Sequence, residues 1–520
     1  MPEAALLSLS DKTGAAELAA ALSQRGTTLY ATGGTRGYLH DRGIAVHDVE
    51  ELTGFPPLFD GRVKTLHPKV FGAILHDRDR AEHAAQAEKY AIADLRVVAV
   101  NLYPFEETVA KPGTTLPEAI EQIDIGGVAL LRAAAKNFRD VTVLSHPSQY
   151  AAFLKALGNG NLDVSLRRRL AVAAFERTTE YDAAIAHYLA TEGEVLPADL
   201  PGALTLTLPL AQPLRYGENP QMRAAFYVSA RDRLPAQLHG KALSYNNLLD
   251  LDATLRLLSR ARVPAGVPQR KNGTVRAAVV KHTVPCGVAE RSSAQSALAH
   301  ALAADAVSAF GGIVAVDAPI DVEAAEKLTP FFLEIVAAPK IDAEGLEMLR
   351  RRKNLRVMQY AQPLPDQLQV ELQLRSALGG VLAEQEDRAY LPESWRVVTR
   401  RSPDASEWRN VIFAWDVVRH VKSNGVVIAK DGVTVGICAG QTNRVSAVQI
   451  AGSRAGARAG GAACASDGFF PFPDGIEAAA AAGCTAIIAP EGSIRDAEVI
   501  AAADKAGIAL VFSSRRFFLH

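Results

Sequence analysis

Short apolar runs alternate with turn-rich and helical segments through the first 150 residues, and this rhythm restricts the fold more than any other feature of the chain. Ala4 to Leu9 reads as a buried strand, followed by the turn Ser10-Asp11-Lys12-Thr13-Gly14 and an Ala/Leu-rich helix to about Gln24. Thr27 to Ala31 reads as a second strand, ending in Thr32-Gly33-Gly34-Thr35. Val97 to Leu102 and Val141 to Leu144 read as a third and fourth, with a helix over Gly126 to Asn137 between them. Such β-α-β alternation predicts an α/β fold, a mostly parallel sheet covered by helices.

At 520 residues the chain is too long for one ordinary core, so two or more domains are expected. A helical stretch from about Val164 to Ala190 gives way at 191–213 to residues rich in Pro, Leu and Thr. We place the boundary there, dividing a domain 1–195 from a second α/β region 205–520. Pro363 to Pro365 and the charged run Glu384 to Arg388 suggest an internal division near 370–400.

Lys plus Arg number 56 against 57 Asp plus Glu, a balance that argues against a bulk nucleic-acid binder but leaves room for a local phosphate pocket. The four cysteines form no C-x-x-C pair, so neither a zinc site nor a disulfide framework is expected. No uncharged apolar run approaches the roughly 18 residues of a membrane span. No basic segment precedes an apolar one at the N-terminus. The expected location is the cytoplasm.

Ser10 to Gly14 and Thr32 to Thr35 each lie between a strand and a helix, where small residues, hydroxyls and a helix N-terminus suit an anion. Each alone is also an ordinary turn. Gly61-Arg62-Val63-Lys64-Thr65-Leu66-His67-Pro68 packs guanidinium, ammonium, hydroxyl and imidazole groups together, as a solvated basic loop also would. Tyr103 follows a strand end, where ligand crevices open. Asp124 precedes a helix start and Lys136 closes that helix, positions that capping and the helix dipole also explain.

In the second region, Ala277 to Val280 reads as a strand delivering Lys281 and His282 to a turn forced by Pro285 and Gly287. An imidazole beside an ammonium tends to stay neutral and can accept a proton. A surface Lys and a turn-capping His are the plain alternative. Arg215-Tyr216-Gly217-Glu218-Asn219-Pro220, Ser244 to Leu248, Ser308 to Gly312, Lys422-Ser423-Asn424, Gly440 to Arg444 and Ser466 to Phe472 are further polar turns, each ambiguous alone.

Lys281-His282-x-x-Pro285-Cys286-Gly287 resembles the formyltransferase signature of the AICAR transformylase/IMP cyclohydrolase family, and family-like segments follow in order from Ser10 to the last residue. The resemblance implies a methylglyoxal-synthase-like N-terminal domain with a parallel sheet. It implies a C-terminal transformylase region of two cytidine-deaminase-like α/β subdomains.

By resemblance, Lys64, Thr65, Tyr103, Asp124 and Lys136 lie at the ring-closure centre, and Ser10, Lys12, Thr13, Gly34, Thr35 and Arg62 hold the 5'-phosphate and ribose. Lys281, His282 and Asn424 act at formyl transfer. Arg215, Asn247, Gly311, Phe469, Arg516 and Phe518 match positions that hold the aminoimidazole nucleotide, Phe472 and Asp474 the folate side, and Tyr216, Glu334, Asn443 and Arg444 further substrate-binding positions of the transformylase. Phe71, Val307, Glu334 and Pro473 depart from the residues the family pattern leads us to expect, as does Thr283-Val284.

The implied activities transfer the formyl group of 10-formyltetrahydrofolate, a co-substrate, to the 5-amine of AICAR and then close the ring to IMP. The partners are small molecules, with no nucleic acid, no membrane and no catalytic metal. The family is a homodimer sharing transformylase sites. Two other readings stand beside this one. A zinc deaminase needs H-x-E with P-C-x-x-C, and Pro285-Cys286 has no second Cys three residues on. A regulatory nucleotide binder without catalysis has no evident need of Lys64, Asp124 and Lys281-His282.

Overall fold

The structure, a computed structural model, describes residues 3–192, 203–228, 234–260, 263–269, 273–362, 372–385 and 393–520. Residues 193–202 of the linker, the patch 363–365 and the part of the charged run beyond 385 lie outside the described residues. The chain separates into two compact units, Met1–Thr207 and Leu208–His520.

The first unit is built on a five-stranded parallel sheet. Its strands are β1 (Glu3–Leu9), β2 (Thr28–Ala31), β3 (His47–Asp48), β4 (Asp94–Asn101) and β5 (Thr142–Leu144), in the order β3-β2-β1-β4-β5. Ala4, Ala5, Leu6 and Leu7 are all buried. A parallel strand covered on both faces has no polar side to show, so β1 reads as an unbroken apolar run. The chain leaves β1 toward β2 and β3, then returns to lay β4 on the other flank. The order therefore reverses between β1 and β4, and beyond the carboxyl ends of strands at such a switch point is where open α/β sheets bind ligands. The helix Gly126–Lys136 covers the sheet and packs against the long helix Val164–Glu192.

The second unit begins with a hairpin of β6 (Leu210–Leu214) and β7 (Ala224–Tyr227). A first set of strands follows: β8 (Ala236–His239), β9 (Val275–Lys281), β10 (Val284–Arg291), β11 (Gly312–Val316), β12 (Leu333–Ala338) and β13 (Arg356–Gln359). After a hairpin of β14 (Leu372–Ala377) and β15 (Gly380–Gln385) comes a second set. It comprises β16 (Trp395–Val397), β17 (Val426–Lys430), β18 (Val433–Cys438), β19 (Ala463–Ser466), β20 (Ala486–Pro490) and β21 (Ala509–Ser513).

The two sets repeat one plan. From the outer edge the first runs β8-β13-β12-β11-β9-β10 and the second β16-β21-β20-β19-β17-β18. In each, a helix lies between the first and second strands, Tyr245–Arg256 in one and Ala405–Val418 in the other. The halves meet along β10 and β18, where Ala289 pairs with Val433 and the Thr434 hydroxyl accepts from the Val288 N–H at 3.0 Å. Beneath this seam the buried guanidinium of Arg276, on β9, pairs with Asp416 from the second half at 2.6 Å and with Glu290 at 2.7 Å.

The expected turn at Pro285 to Gly287 is corrected. Lys281 pairs with Val284, so the chain reverses at His282-Thr283, and Pro285 and Gly287 lie within β10 on either side of a register shift. Proline is tolerated at such a bulge. Gly287 answers a packing demand instead: a Cβ there would lie 2.0 Å from the Ala301 carbonyl oxygen and 2.7 Å from the Ala304 Cβ, on the helix Ala294–Ala304. Gly287→Ala is expected to cost about 1–3 kcal/mol by overpacking. The midpoint of chemical denaturation of the second unit reports it, and an unchanged midpoint would contradict the close approach.

Candidate active sites

In the first unit three turns converge where β1, β2 and β4 end. Asn101 closes β4 and ties the first turn down. Its Oδ1 accepts from the N–H groups of Ser10 (2.5 Å) and Asp11 (2.9 Å), and its Nδ2 donates to the Asp11 carbonyl at 2.7 Å. Thr13 donates its N–H and hydroxyl to Asp11 Oδ1 at 2.9 and 2.7 Å, bonds that hold this carboxyl below the ordinary range. The Lys12 ammonium folds back onto the carbonyls of Leu9 (3.1 Å) and Ser10 (2.9 Å). Thr35 joins the second turn to the first, accepting the Leu9 N–H at 2.9 Å and donating to its carbonyl at 3.1 Å. A Cβ added at Gly33 or Gly34 would meet nothing within 4 Å, so the start of the helix Gly33–His40 is uncovered.

A further cluster in this unit holds Lys64, Thr65, Tyr103 and Asp124. Asp124 Oδ1 accepts the Gly127 N–H at 2.7 Å, so the carboxylate leans over the start of the helix Gly126–Lys136. Burial pushes its carboxyl above the ordinary 3.8, opposed by that N–H, by the Lys64 ammonium and by the Tyr103 backbone. Burial and the Asp124 charge likewise push the Tyr103 hydroxyl up. The Thr65 hydroxyl lies 2.8 Å from where a Cβ on Gly126 would sit, and a Cβ on Gly127 would strike Asp124 itself. Both glycines leave room for these groups at the helix start. Tyr181 braces the loop from behind: its hydroxyl accepts the Asp124 N–H at 2.9 Å and donates to the Gln122 carbonyl at 2.5 Å.

Two expected members remain, and of these Lys136 stands apart. Arg62 is exposed and paired with Glu121. Lys136 closes the helix that Asp124 opens, about 15 Å away at ~1.5 Å per residue. There it lines an apolar groove with Phe71, Arg132 and Phe175.

In the second unit Lys281 and His282 lie at the tip of the β9–β10 hairpin, on a cavity of about 720 Å³ also lined by Asp305, Ser308, Arg454 and Arg458. The Lys281 ammonium donates to the Phe310 carbonyl at 2.8 Å. Burial pushes the nearby Cys286 thiol up to about 11, which keeps it protonated and a poor nucleophile.

A second cavity, about 350 Å³, gathers Asn424, Asn443, Arg444, Phe469, Phe472, Asp474 and Phe518. Arg444 organises it. One nitrogen donates to Ser466 and Asp467, each at 2.6 Å, and another to Asn424 Oδ1 at 2.5 Å. Asn424 Nδ2 donates to the Gln441 carbonyl at 2.8 Å. The Asn424 carboxamide is thus fixed in orientation on both sides. Asn443 caps the helix Arg444–Ala455 through the Ser446 N–H.

The remaining expected residues line neither cavity. Arg215 is exposed with its guanidinium over the Tyr216 ring at 5.2 Å. Asn247 is buried in a capping box with Ser244. Gly311 has φ 74° and follows the Phe310 whose carbonyl Lys281 meets. Glu334 pairs with Arg356 at 2.6 Å. Arg516 stacks over Phe518 at 4.8 Å.

Residue reasoning passed over Asn101, Tyr181, Asp250 and Asp467. A polar residue closing an apolar strand was the available sign for Asn101. Tyr181 and Asp250 act across more than thirty residues of chain, with no local sign. Among the described residues no three His, Cys, Asp or Glu side chains are grouped to hold a metal ion, and no helix is long and apolar enough to cross a membrane.

A parallel-sheet unit with polar turns at its strand ends and a second unit with a duplicated sheet and two cavities define a two-unit α/β protein. Residues 14–129 match the MGS-like domain family, and residues 134–454 match the AICARFT/IMPCHase bienzyme family. The chain is 46% identical to the bifunctional purine biosynthesis protein PurH of Synechococcus elongatus over 100% of both chains. It is 48% identical to that of Chloroflexus aurantiacus, over 99% of this chain and 98% of the relative. With that of Bacillus cereus it shares 44% identity over 100% of both. The chain belongs to the AICARFT/IMPCHase bienzyme family. It is a bifunctional enzyme of purine biosynthesis, a formyltransferase and a cyclohydrolase, and the formyltransferase half implies a formyl-folate co-substrate.

Proposed function

We propose that the two reactions run at separate sites, ring closure in the first unit and formyl transfer in the second. The observation that carries this reading is the cluster of Lys64, Thr65, Tyr103 and Asp124 within the first compact unit, with Tyr103 just past the end of β4, while the Lys281-His282 hairpin belongs to the second.

In ring closure a carboxamide nitrogen attacks the formyl carbon, an oxyanion forms and water leaves. Asp124 accepts or orients the amide proton, and its raised pKa suits that task. Lys64 stabilises the oxyanion, with Thr65 and Tyr103 as further donors. Ser10, Lys12, Thr13, Gly34 and Thr35 bind the phosphate and ribose, and the uncovered helix start supports this. Arg62 reaches the phosphate on releasing Glu121. Lys136 receives no step, because about 15 Å of helix separates it from Asp124.

In formyl transfer the co-substrate is 10-formyltetrahydrofolate. His282 removes the proton from the 5-amine as that nitrogen attacks the formyl carbon. Lys281 stabilises the oxyanion or protonates the leaving folate nitrogen. Asn424, held by Arg444 and Gln441 on the other cavity, orients the reacting groups on the family resemblance. Arg444, Asn443, Phe469 and Phe518 hold the nucleotide, with Phe472 and Asp474 toward the folate. Arg215, Tyr216, Asn247, Gly311, Glu334 and Arg516 keep nucleotide or folate roles on the family resemblance alone. The same reading carries a cytoplasmic homodimer with shared transformylase sites, testable by sedimentation with active-site titration.

A fragment ending at residue 207 is expected to close the ring of the formylated nucleotide by itself. Its rate is read by conversion of the formamido nucleotide to IMP. A folded but inert fragment, beside an active full chain, would overturn the division of labour.

A further inference from the structure

The hairpin that presents Lys281 and His282 is made of residues that resist its backbone. His282 has φ 56° and Thr283 φ 61°. Two-residue hairpins ordinarily meet this demand with Asn-Gly or Asp-Gly. A β-branched residue such as Thr tolerates positive φ poorly. Support comes from the helix Tyr245–Arg256, where Asp250 Oδ1 accepts the Thr283 N–H at 2.6 Å and Oδ2 accepts the His282 N–H at 3.3 Å. One carboxylate spans both peptide groups of the turn.

The second half of the unit carries the same device in a weaker form. There β17 and β18 are joined through Asp431-Gly432, with φ 51° and 69°. The corresponding helix, Ala405–Val418, reaches the turn through Asn410, whose Oδ1 accepts the Asp431 N–H at 2.8 Å. Asn410 stands six residues past its helix cap Asp404, as Asp250 stands six past Ser244. The two are equivalent positions of one repeated plan. Where the turn residues favour the conformation, one neutral hydrogen bond suffices. Where they are His-Thr, the helix supplies a carboxylate and two bonds, and charge-assisted bonds are the stronger kind.

We propose that Asp250 is a positioning residue for formyl transfer, holding the His282-Thr283 turn so that Lys281 and His282 face the substrate. This rests on the assignment of Lys281 and His282 made above. Asp250 acts through the turn and touches no reacting atom.

The test uses the full chain. Asp250→Ala is expected to lower kcat for formyl transfer about 10²-fold, the scale of a small misplacement, with ring closure unchanged. Thr283→Gly alone is expected to stay close to wild type, since glycine accepts the turn unaided. The double variant Asp250→Ala/Thr283→Gly is expected to recover most of the lost rate, and Asp250→Asn to fall between, as the Asn410 counterpart suggests. Wild-type transfer by Asp250→Ala overturns the proposal. So does a loss that Thr283→Gly leaves unrelieved, which would put Asp250 on the substrate itself, or a large loss from Thr283→Gly alone. If Asp250→Ala does not fold, Asp250→Asn with and without Thr283→Gly makes the same comparison, recovery supporting and its absence overturning. The underlying assignment fails separately, if His282→Ala still transfers formyl.

Discussion

His282→Ala is expected to slow formyl transfer by about 10²–10⁴, the usual worth of a positioned base, and to close the ring at the wild-type rate. The substitution removes an exposed imidazole at a hairpin tip, where little packing is lost. The turn stays tied through the Thr283 and residue-282 N–H groups, which Asp250 accepts whatever the side chain. A fall in rate without a fall in stability is therefore the signature of chemistry. Stopped assays of AICAR formylation and of ring closure on the same preparation read both. Transfer within a factor of a few of wild type would remove His282 from the mechanism.

The second large effect is expected at Asp124. Asp124→Ala, like Lys64→Ala, should cost ring closure about 10²–10³ in kcat and leave formyl transfer intact, so that the formamido nucleotide accumulates. The carboxylate also accepts the Gly127 N–H, and losing such a cap costs roughly 0.5–2 kcal/mol. Asp124→Asn keeps an acceptor for that N–H and loses the charge, so it separates the two contributions. A variant that melts lower yet closes the ring normally is a cap; one that melts normally yet stalls is a catalyst.

The pH profile carries the same information. Burial raises the Asp124 pKa above 3.8, so the carboxylate is protonated earlier on acidification than a free aspartate. The acid limb of ring closure should lie above that value and vanish in Asp124→Asn. For stability the sign is opposite: an acid whose folded pKa is raised loses its stabilising share as pH climbs from 3.8 through the folded value.

Much of the first unit was legible because its buried parallel strands are unbroken apolar runs bounded by turns. The two residues of β3, His47-Asp48, were not, since so short an edge strand has no period and no apolar character. In the second unit the same local logic misled. Pro285 and Gly287 look like turn punctuation, yet one sits at a bulge and the other under a helix. The true turn has no turn residues and is held by Asp250, more than thirty residues upstream. Repetition of the half-unit left no mark in the residues themselves and was implied only by the family resemblance, as two like subdomains. Equivalent positions carry His282-Thr283 in one half and Asp431-Gly432 in the other, so topology repeats where sequence does not. The candidate sites followed the same pattern: Lys64, Tyr103, Asp124 and Arg444 were readable from motif segments, while the groups that orient them, Tyr181 and Asp467, act across the fold.

If the two sites are independent, as proposed, one direct demand follows. Full-length His282→Ala and full-length Asp124→Asn, each slowed about 10²-fold or more in converting AICAR and 10-formyltetrahydrofolate to IMP, should regain the conversion when mixed. The second variant supplies the formylated nucleotide and the first closes its ring. IMP production by the mixture, after a lag in which the intermediate rises and falls, is the predicted result. Loss of both half-reactions in either variant alone, or a mixture of active half-enzymes that still makes no IMP, would contradict the account.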